Sequence, residues 1–151
     1  YSAVTPVIRY AEVLLSYLEC LIESGQAIDQ TVLNLTINQV RGRADVKMPP
    51  VTETNSDKLR ELLRNERRVE LAFEGIRYWD LLRWKLAETV LVGEVWGAPY
   101  PKSITYAGST KFVDPTGHCR WYVGRRDFRN PQDYKWPIPL SEQNINPNLR
   151  E

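Results

Sequence analysis

The chain has 151 residues, of which 42% are hydrophobic and 26% are charged, and these values are ordinary for a globular domain with a sizeable core. Its 20 basic and 19 acidic residues give a formal net charge of +1. This balance gives no electrostatic reason to expect nucleic acid or an anionic membrane surface as a partner. No apolar run approaches the roughly 20 residues of a membrane-spanning helix, and the first residues lack the pattern of a secretion signal.

The first third of the chain has the apolar spacing of two helices. The first is expected to start with Thr5 as N-cap and Pro6 as an early helical residue, and to end at Gly25. The second is expected from about Asp29 to Ala44. Because so few residues separate them, we expect a helix hairpin, the unit from which tetratricopeptide-like arrays are built.

A third helix follows a proline-containing linker. Asn55 or Ser56 is expected to cap it, Gly75 to break or bend it, and its apolar stripe to continue to about Val92.

Apolar side chains on this third helix keep helical spacing, which predicts that they pack inward. The residues expected to pack inward are Leu59, Leu62, Leu63, Val69, Phe73, Trp79 and Trp84.

From residue 93 onward helical periodicity disappears, and glycines and prolines interrupt the chain. We expect loops with about two short strands, one around Arg120 to Val123, and an extended tail with a short turn near Ser141 to Gln143. The predicted fold class is therefore mainly α. It has a helical hairpin and a long charged helix within residues 1–92, then an irregular segment with few strands in residues 93–151.

The segment from Leu62 to Trp84 places many acids and bases among leucines and aromatic residues. Glu66, Glu70 and Glu74 recur every fourth residue, so on a helix they line one face. Such a face is either a catalytic carboxylate cluster or an ion-pair network that joins helices. Interleaved arginines favour the ion pairs, because they hold carboxylates ionised while a general acid needs a raised pKa. The predicted network comprises Glu66, Arg67, Glu70, Glu74, Arg77, Asp80 and Arg83.

Three contacts of this network are predicted individually. Arg77 and Asp80 are three residues apart, within helical reach, and Arg83 can reach back to Asp80 along the helix. Either Arg67 or its neighbour Arg68 is expected to meet Glu12 or Glu19 of the first helix, which would fix the angle between the third helix and the first pair.

The sequence gives little support for a catalytic nucleophile or for a metal site. His118 is the single histidine, and no G-x-S-x-G turn is present. His118 and Cys119 could supply two metal ligands, whereas a closed zinc site needs about four. We therefore predict neither a metal site nor a cofactor. Cys20 and Cys119 could form a disulfide or be two unrelated buried thiols, and the sequence favours the second alternative.

Aromatic residues of the irregular segment are the candidate ligand contacts. Loops on a rigid scaffold often present binding residues, and flat rings can stack on the apolar faces of sugars. Arg125, Arg126 and Asp127 could add hydrogen bonds. The alternative is that these rings cover a thin core. The candidate ligand-binding residues are Trp96, Tyr100, Tyr106, Trp121 and Tyr122.

The charged segment resembles a helix of the SusD/RagB-type proteins, written loosely as ERR-x-E-L-A-F-E-G-x-R-x-x-D-L-x-R-W. Three further segments resemble that family in the same order. They are the R-Y-A-E-V-L-L helix at residues 9–15, the I-N-x-V-R-x-R-A segment at residues 37–44, and the closing P-I-P-x-x-E…N-P-N-L signature within residues 137–149.

The resemblance implies a lipid-anchored, non-catalytic nutrient-binding protein on the outer surface of Bacteroidetes-type bacteria. Such a protein captures oligosaccharide or another nutrient, delivers it to a SusC-like TonB-dependent transporter and closes over that transporter as a lid. Because family members are several times longer, residues 1–151 are expected to form a single domain in the C-terminal part of a longer protein whose lipid anchor lies outside this chain. Two alternatives remain open: a glycan hydrolase using Glu70 or Glu74, and a helical protein-interaction domain.

Overall fold

The computed structural model describes residues 8–99 and 113–149, and within these ranges the protein is mainly α, which confirms the predicted fold class. The helices are α1 (Tyr10–Glu23), α2 (Gln30–Leu35), α3 (Ile37–Arg41), α4 (Ser56–Glu70), α5 (Ile76–Arg83), α6 (Ala87–Val90) and α7 (Leu140–Ile145). The strands are β1 (Gly93–Pro99) and β2 (Arg120–Arg126).

Two compact units make up the chain, the first ending at Trp79 and the second beginning at Asp80. Among the helices of the described ranges, none combines the length and the apolar character needed to cross a bilayer.

The core of the first unit is built on α1. Its apolar residues recur every three or four positions, so they lie on one side of the helix and are buried there against α3 and α4. The buried set is Ala11, Leu14, Leu15, Leu18, Ile22, Ile28, Leu33, Ile37, Val40, Val51, Leu59 and Leu63. Arg9 occupies the N-cap position of α1, whereas the expected cap Thr5 and the expected early helical residue Pro6 lie outside the described residues.

The single second helix predicted from Asp29 to Ala44 is wrong, because two short helices occupy this segment. The backbone leaves the helical region at Thr36, with φ −123° and ψ −101°. The buried Thr36 hydroxyl donates to the carbonyl of Val32 at 2.7 Å. Such local side-chain bonds compete with the helical ladder.

The helix α4 begins as expected, with the Asn55 side chain accepting a hydrogen bond from the Lys58 amide. It ends at Glu70, before the predicted break, and a tight turn follows. Phe73 and Gly75 in this turn both have positive φ, 67° and 78°. The predicted stripe to Val92 is interrupted again between α5 and α6.

Early termination of α4 changes the exposure of the motif side chains. Leu59 and Leu63 are buried. Leu62, Val69 and Trp79 are in contrast 42%, 66% and 56% exposed, and Phe73 is fully exposed, so the prediction that these four side chains pack inward is wrong. Trp84 is half-buried, with the Arg83 guanidinium 4.8 Å from its ring centre.

The second unit contains an antiparallel β1–β2 pair and an aromatic cluster. Phe128 and Tyr134 meet edge to face at 4.8 Å, and the Lys85 ammonium lies 4.2 Å above the Tyr134 ring. The tail includes α7, which is longer than the short turn predicted there.

Candidate functional site

The carboxylate of Glu70, the last residue of α4, lies between two arginines from distant parts of the sequence. Arg43 donates through Nη1 to Oε1 at 2.6 Å and through Nη2 to Oε2 at 3.0 Å. Arg9 donates through Nη1 to Oε1 at 3.0 Å and through Nη2 to the Glu70 carbonyl at 2.7 Å. These charge-assisted bonds join the end of α4 to the start of α1 and to the segment after α3.

Glu74 and Glu66 are paired in the same manner. Arg9 donates to both carboxylate oxygens of Glu74, at 2.6 Å from Nη2 and 3.1 Å from Nε. The hydrogen bond to Glu74, followed by that to Glu70, raises the pKa of Arg9 above its ordinary value despite partial burial, so this guanidinium stays cationic. Arg41 lies 2.5 Å from Glu66 through Nη1 and donates through Nε to a carbonyl of the linker.

Arg67 has a separate role at the α1–α4 contact. It is 4% exposed, donates through Nη1 to the Ser16 hydroxyl at 2.9 Å, and places Nε 3.8 Å from the carboxylate of buried Glu19. Of the two partners expected for it, the structure therefore brings Glu19 close.

The remaining predicted ion-pair residues lie on α5. Arg83 binds buried Asp80 through Nε at 2.9 Å and Nη2 at 2.8 Å. Arg77 is half-buried one turn before Asp80.

Sequence reasoning missed the partners of the three glutamates. Arg9, Arg41 and Arg43 lie 25 to 65 residues away from the carboxylates that they bind. Spacing within a helix reveals neighbours on that helix only. A signal was nevertheless present, because all three arginines fall in the other segments that resemble the family.

A groove of about 470 Å³ lies next to these ion pairs, between α1 and α3. Its walls are largely apolar, with two guanidinium groups among the lining residues. The lining residues are Arg9, Tyr10, Ala11, Leu14, Gln39, Val40 and Arg43.

The β1–β2 pair brings two of the predicted ligand-binding aromatics together. Trp96 lies opposite Tyr122 in the antiparallel register, and their ring centres are 5.3 Å apart with an interplanar angle of 69°. The indole Nε1 of Trp96 donates to Glu94 at 3.2 Å. Arg125 lies opposite Glu94 and donates to Asp127 at 3.0 Å. This face therefore combines two aromatic rings with polar groups that already bind one another.

Trp121 lies on the other face of the pair. A Cβ atom built on Gly97 would lie 3.6 Å from Cβ of Trp121, so these two positions face the same side, and side chains alternate between faces along a strand. The Trp121 side chain is 53% exposed. The other two predicted aromatics, Tyr100 and Tyr106, lie outside the described residues.

A turn preceding β2 contains the single histidine. Asp114 is buried and accepts hydrogen bonds from the Thr116 hydroxyl at 2.7 Å and the His118 amide at 2.8 Å, and it lies 2.8 Å from Arg120. The Thr116 hydroxyl is the largest cause that lowers the pKa of Asp114, followed by the backbone amides and Arg120. The ring Nδ1 of His118 is 2.7 Å from the Thr116 hydroxyl.

This arrangement differs from a catalytic triad. In a triad the histidine lies between the nucleophile and the carboxylate. Here Thr116 lies between the carboxylate of Asp114 and the ring of His118, with the carboxylate and Nδ1 3.9 Å apart. Within the described ranges, no group of three His, Cys, Asp or Glu side chains is placed to hold a metal ion, and Cys20 and Cys119 are free thiols.

A family model described as the SusD family matches residues 1–151, the whole chain. The chain belongs to the SusD family. Among curated SusD-like relatives, protein P38 of Formosa agariphila is 36% identical over 90 residues, and protein P2 of the same organism is 38% identical over 88 residues. The matched segments cover 55% and 54% of this chain but 17% of each relative.

Two crystal structures of SusD-like proteins from Bacteroides fragilis are also similar. One, a SusD-like carbohydrate-binding protein, is 69% identical with a TM-score of 0.89, and the match covers 97% of this chain and 28% of that protein. The other is 32% identical with a TM-score of 0.64, covering 92% of this chain and 24% of that protein. The SusD-family chain described here therefore spans under a third of either solved relative.

Proposed function

We propose that this SusD-family chain takes part in capturing glycan, or another nutrient, without chemical turnover. The observation that carries the proposal is the β1–β2 pair, which presents the Trp96–Tyr122 aromatic pair on one face and the exposed Trp121 on the other. Exposed indole and phenol rings offer flat apolar surfaces for sugar rings, with polar groups at their edges. A similar protein of known structure is described as carbohydrate-binding.

Ion pairing of the glutamates supports a non-catalytic role. Glu70 and Glu74, the residues of the hydrolase alternative, both bind guanidinium groups. A glycosidase needs one carboxylic acid that holds its proton near neutral pH, and adjacent cations favour the ionised form instead. These side chains serve better as a clamp between helices than as an acid and its nucleophile.

Delivery to a SusC-like TonB-dependent transporter at the bacterial outer membrane is the second part of the proposal. It rests on membership of the SusD family and on the role that the sequence resemblance implies.

We further propose that residues 1–151 act as the C-terminal part of a longer protein. The solved relative that is 69% identical extends well beyond the matched region. Along α1, Tyr10, Val13 and Tyr17 form an apolar stripe that is at least half exposed. Contiguous exposed apolar surface marks an interface, so this face also fits the protein-interaction alternative. We assign its partner to the same polypeptide, because this chain matches only 28% of that solved relative.

Calorimetric titration with a panel of polysaccharides tests the capture function. We expect at least one glycan to bind the chain, or a longer protein that contains it, and the double variant Trp96→Ala/Trp121→Ala to lose that binding while keeping the wild-type circular dichroism spectrum. Absence of binding to the whole panel by both proteins, or full binding by the double variant, would refute the role of these aromatics.

A further inference from the structure

The two faces of the β1–β2 pair differ in how their polar groups are used. On the Trp96–Tyr122 face, Glu94 binds the indole and Arg125 binds Asp127. A ligand on that face would have to displace existing hydrogen bonds. The opposite face carries Trp121, and the register places Arg126 opposite Gly93 on that same face.

Arg126 differs from the other arginines of this region. Arg120, Arg125 and Arg129 pair with Asp114, Asp127 and Asp133 respectively. Arg126 is exposed and has no carboxylate partner within the ranges that the structure describes. Its guanidinium group is therefore available to an anion from outside the chain.

Among the residues that the structure describes, small side chains lie beside the indole on this face. Gly93, Val95 and Gly97 on β1 and Gly124 on β2 belong to the face of Trp121. An added Cβ at Gly97 would meet Trp121 only at ordinary contact distances of 3.5 and 3.6 Å. Packing against Trp121 therefore does not require glycine at this position. A glycine inside a strand marks a bulge or the close approach of a ligand or another backbone, and Gly97 lies within the register irregularity between Trp96 and Pro99, where the space beside the indole is left unfilled by its own side chain.

We propose that this face, defined by Trp121, Gly97 and Arg126, binds an oligosaccharide that carries uronate carboxylates. A sugar ring stacks on the Trp121 indole above the open backbone at Gly97, and a carboxylate further along the glycan pairs with Arg126. The planar fork of a guanidinium group matches a carboxylate in two parallel hydrogen bonds. Since five strand positions separate Trp121 from Arg126, or at most about 17 Å, the ligand is an oligosaccharide rather than a single sugar.

This inference rests on the proposed capture of glycan and deepens it by naming the ligand class. Its test compares an oligogalacturonate, the same oligomer with its carboxylates reduced to alcohols, and a neutral oligosaccharide bearing sulfate esters. Binding of each to the wild-type chain is measured by calorimetry at low ionic strength, because charge pairing at an exposed site is screened by salt.

We expect the oligogalacturonate to bind about tenfold more tightly than its reduced form and than the sulfated sugar. Arg126→Gln should remove this preference while leaving binding of the reduced oligomer unchanged. Arg129→Gln, which removes an exposed arginine already paired with Asp133, should keep the preference. Gly97→Ala should weaken binding of both oligomers without lowering the melting temperature.

The outcomes separate this inference from the proposed function. Equal binding of the charged and reduced oligomers, or a preference that survives Arg126→Gln, would overturn the carboxylate assignment and leave glycan capture standing. Tighter binding of the sulfated sugar than of the oligogalacturonate would also overturn it. If none of the three sugars binds, both this inference and glycan capture by the β1–β2 pair are refuted for these ligand classes.

Discussion

Arg43 binds both carboxylate oxygens of Glu70, at 2.6 and 3.0 Å, while Arg9 binds the same carboxylate from another segment at 3.0 Å. Glu70 is the last residue of α4, Arg9 immediately precedes α1, and Arg43 follows α3. A single carboxylate therefore ties together three segments of the first unit. The charged motif is a structural joint in this arrangement.

The substitution Glu70→Gln tests this joint. It removes the negative charge that both arginines share, and we expect the free energy of unfolding to fall by about 1–3 kcal/mol. Urea denaturation followed by circular dichroism measures the change. Glu61→Gln, an exposed carboxylate on the same helix, is the matched control and should leave the midpoint unchanged. Equal effects from the two variants would show that the joint contributes no special stability.

Arg67→Ala should be more costly, with a loss of about 3–5 kcal/mol in unfolding free energy. The substitution leaves the carboxylate of Glu19 buried beside a cavity and removes the hydrogen bond to Ser16. Thermal and urea denaturation both report the loss. Arg68→Ala, at an exposed neighbouring position, should behave like the wild type. A loss under roughly half a kcal/mol for Arg67→Ala would mean that the pair is effectively solvated.

Asp114 should make the stability of the folded protein depend on pH in the acid range. Hydrogen bonds and Arg120 lower its pKa below the ordinary 3.8, so its contribution is complete above pH 3.8 and is lost as pH falls through the lower folded-state value. Asp114→Asn should therefore reduce the melting temperature near pH 7, and the difference from wild type should shrink below pH 3.8. Asp127→Asn, at an exposed carboxylate, should have a small effect throughout. A melting difference for Asp114→Asn that stays constant down to pH 2 would contradict this account.

Val13→Asp tests whether the apolar stripe on α1 is covered in a longer protein. In the 151-residue chain Val13 is 50% exposed, so the substitution should change stability little. In a longer protein that contains the chain, burying the new carboxylate should cost about 2 kcal/mol or more. Leu35→Asp, at a position 58% exposed on α2, is the control in both proteins. A neutral Val13→Asp in the longer protein would show that the stripe remains open to solvent.

How much of this fold the sequence predicts depends on how far apart along the sequence the interacting residues lie. The repeat of Leu14, Leu18 and Ile22 identifies the buried side of α1, because helical spacing is a local property. The cap at Asn55 was equally predictable. The break at Thr36 was not, since it depends on a backbone conformation and a hydroxyl bond that apolar spacing does not reveal.

Details of the candidate site were harder to predict for a related reason. Sequence identified the glutamates, whereas their partners Arg9, Arg41 and Arg43 are set by how helices meet. For the aromatics, register irregularities on both sides of Trp96 decide which rings share a face of the β1–β2 pair, and such bulges cannot be placed from alternation alone. Ligand contact by Trp96, Trp121 and Tyr122 remains a prediction.

The central claim is capture without turnover. It is tested most directly by measuring the size of a bound glycan after prolonged incubation with the chain. A glycan selected by calorimetry is incubated with the wild-type chain and with Glu70→Gln, and chromatography then measures its length and the reducing ends released. We predict an unchanged glycan with both proteins at concentrations where binding is saturated. Shortening by the wild-type chain that disappears in Glu70→Gln would contradict capture without turnover and establish a hydrolase.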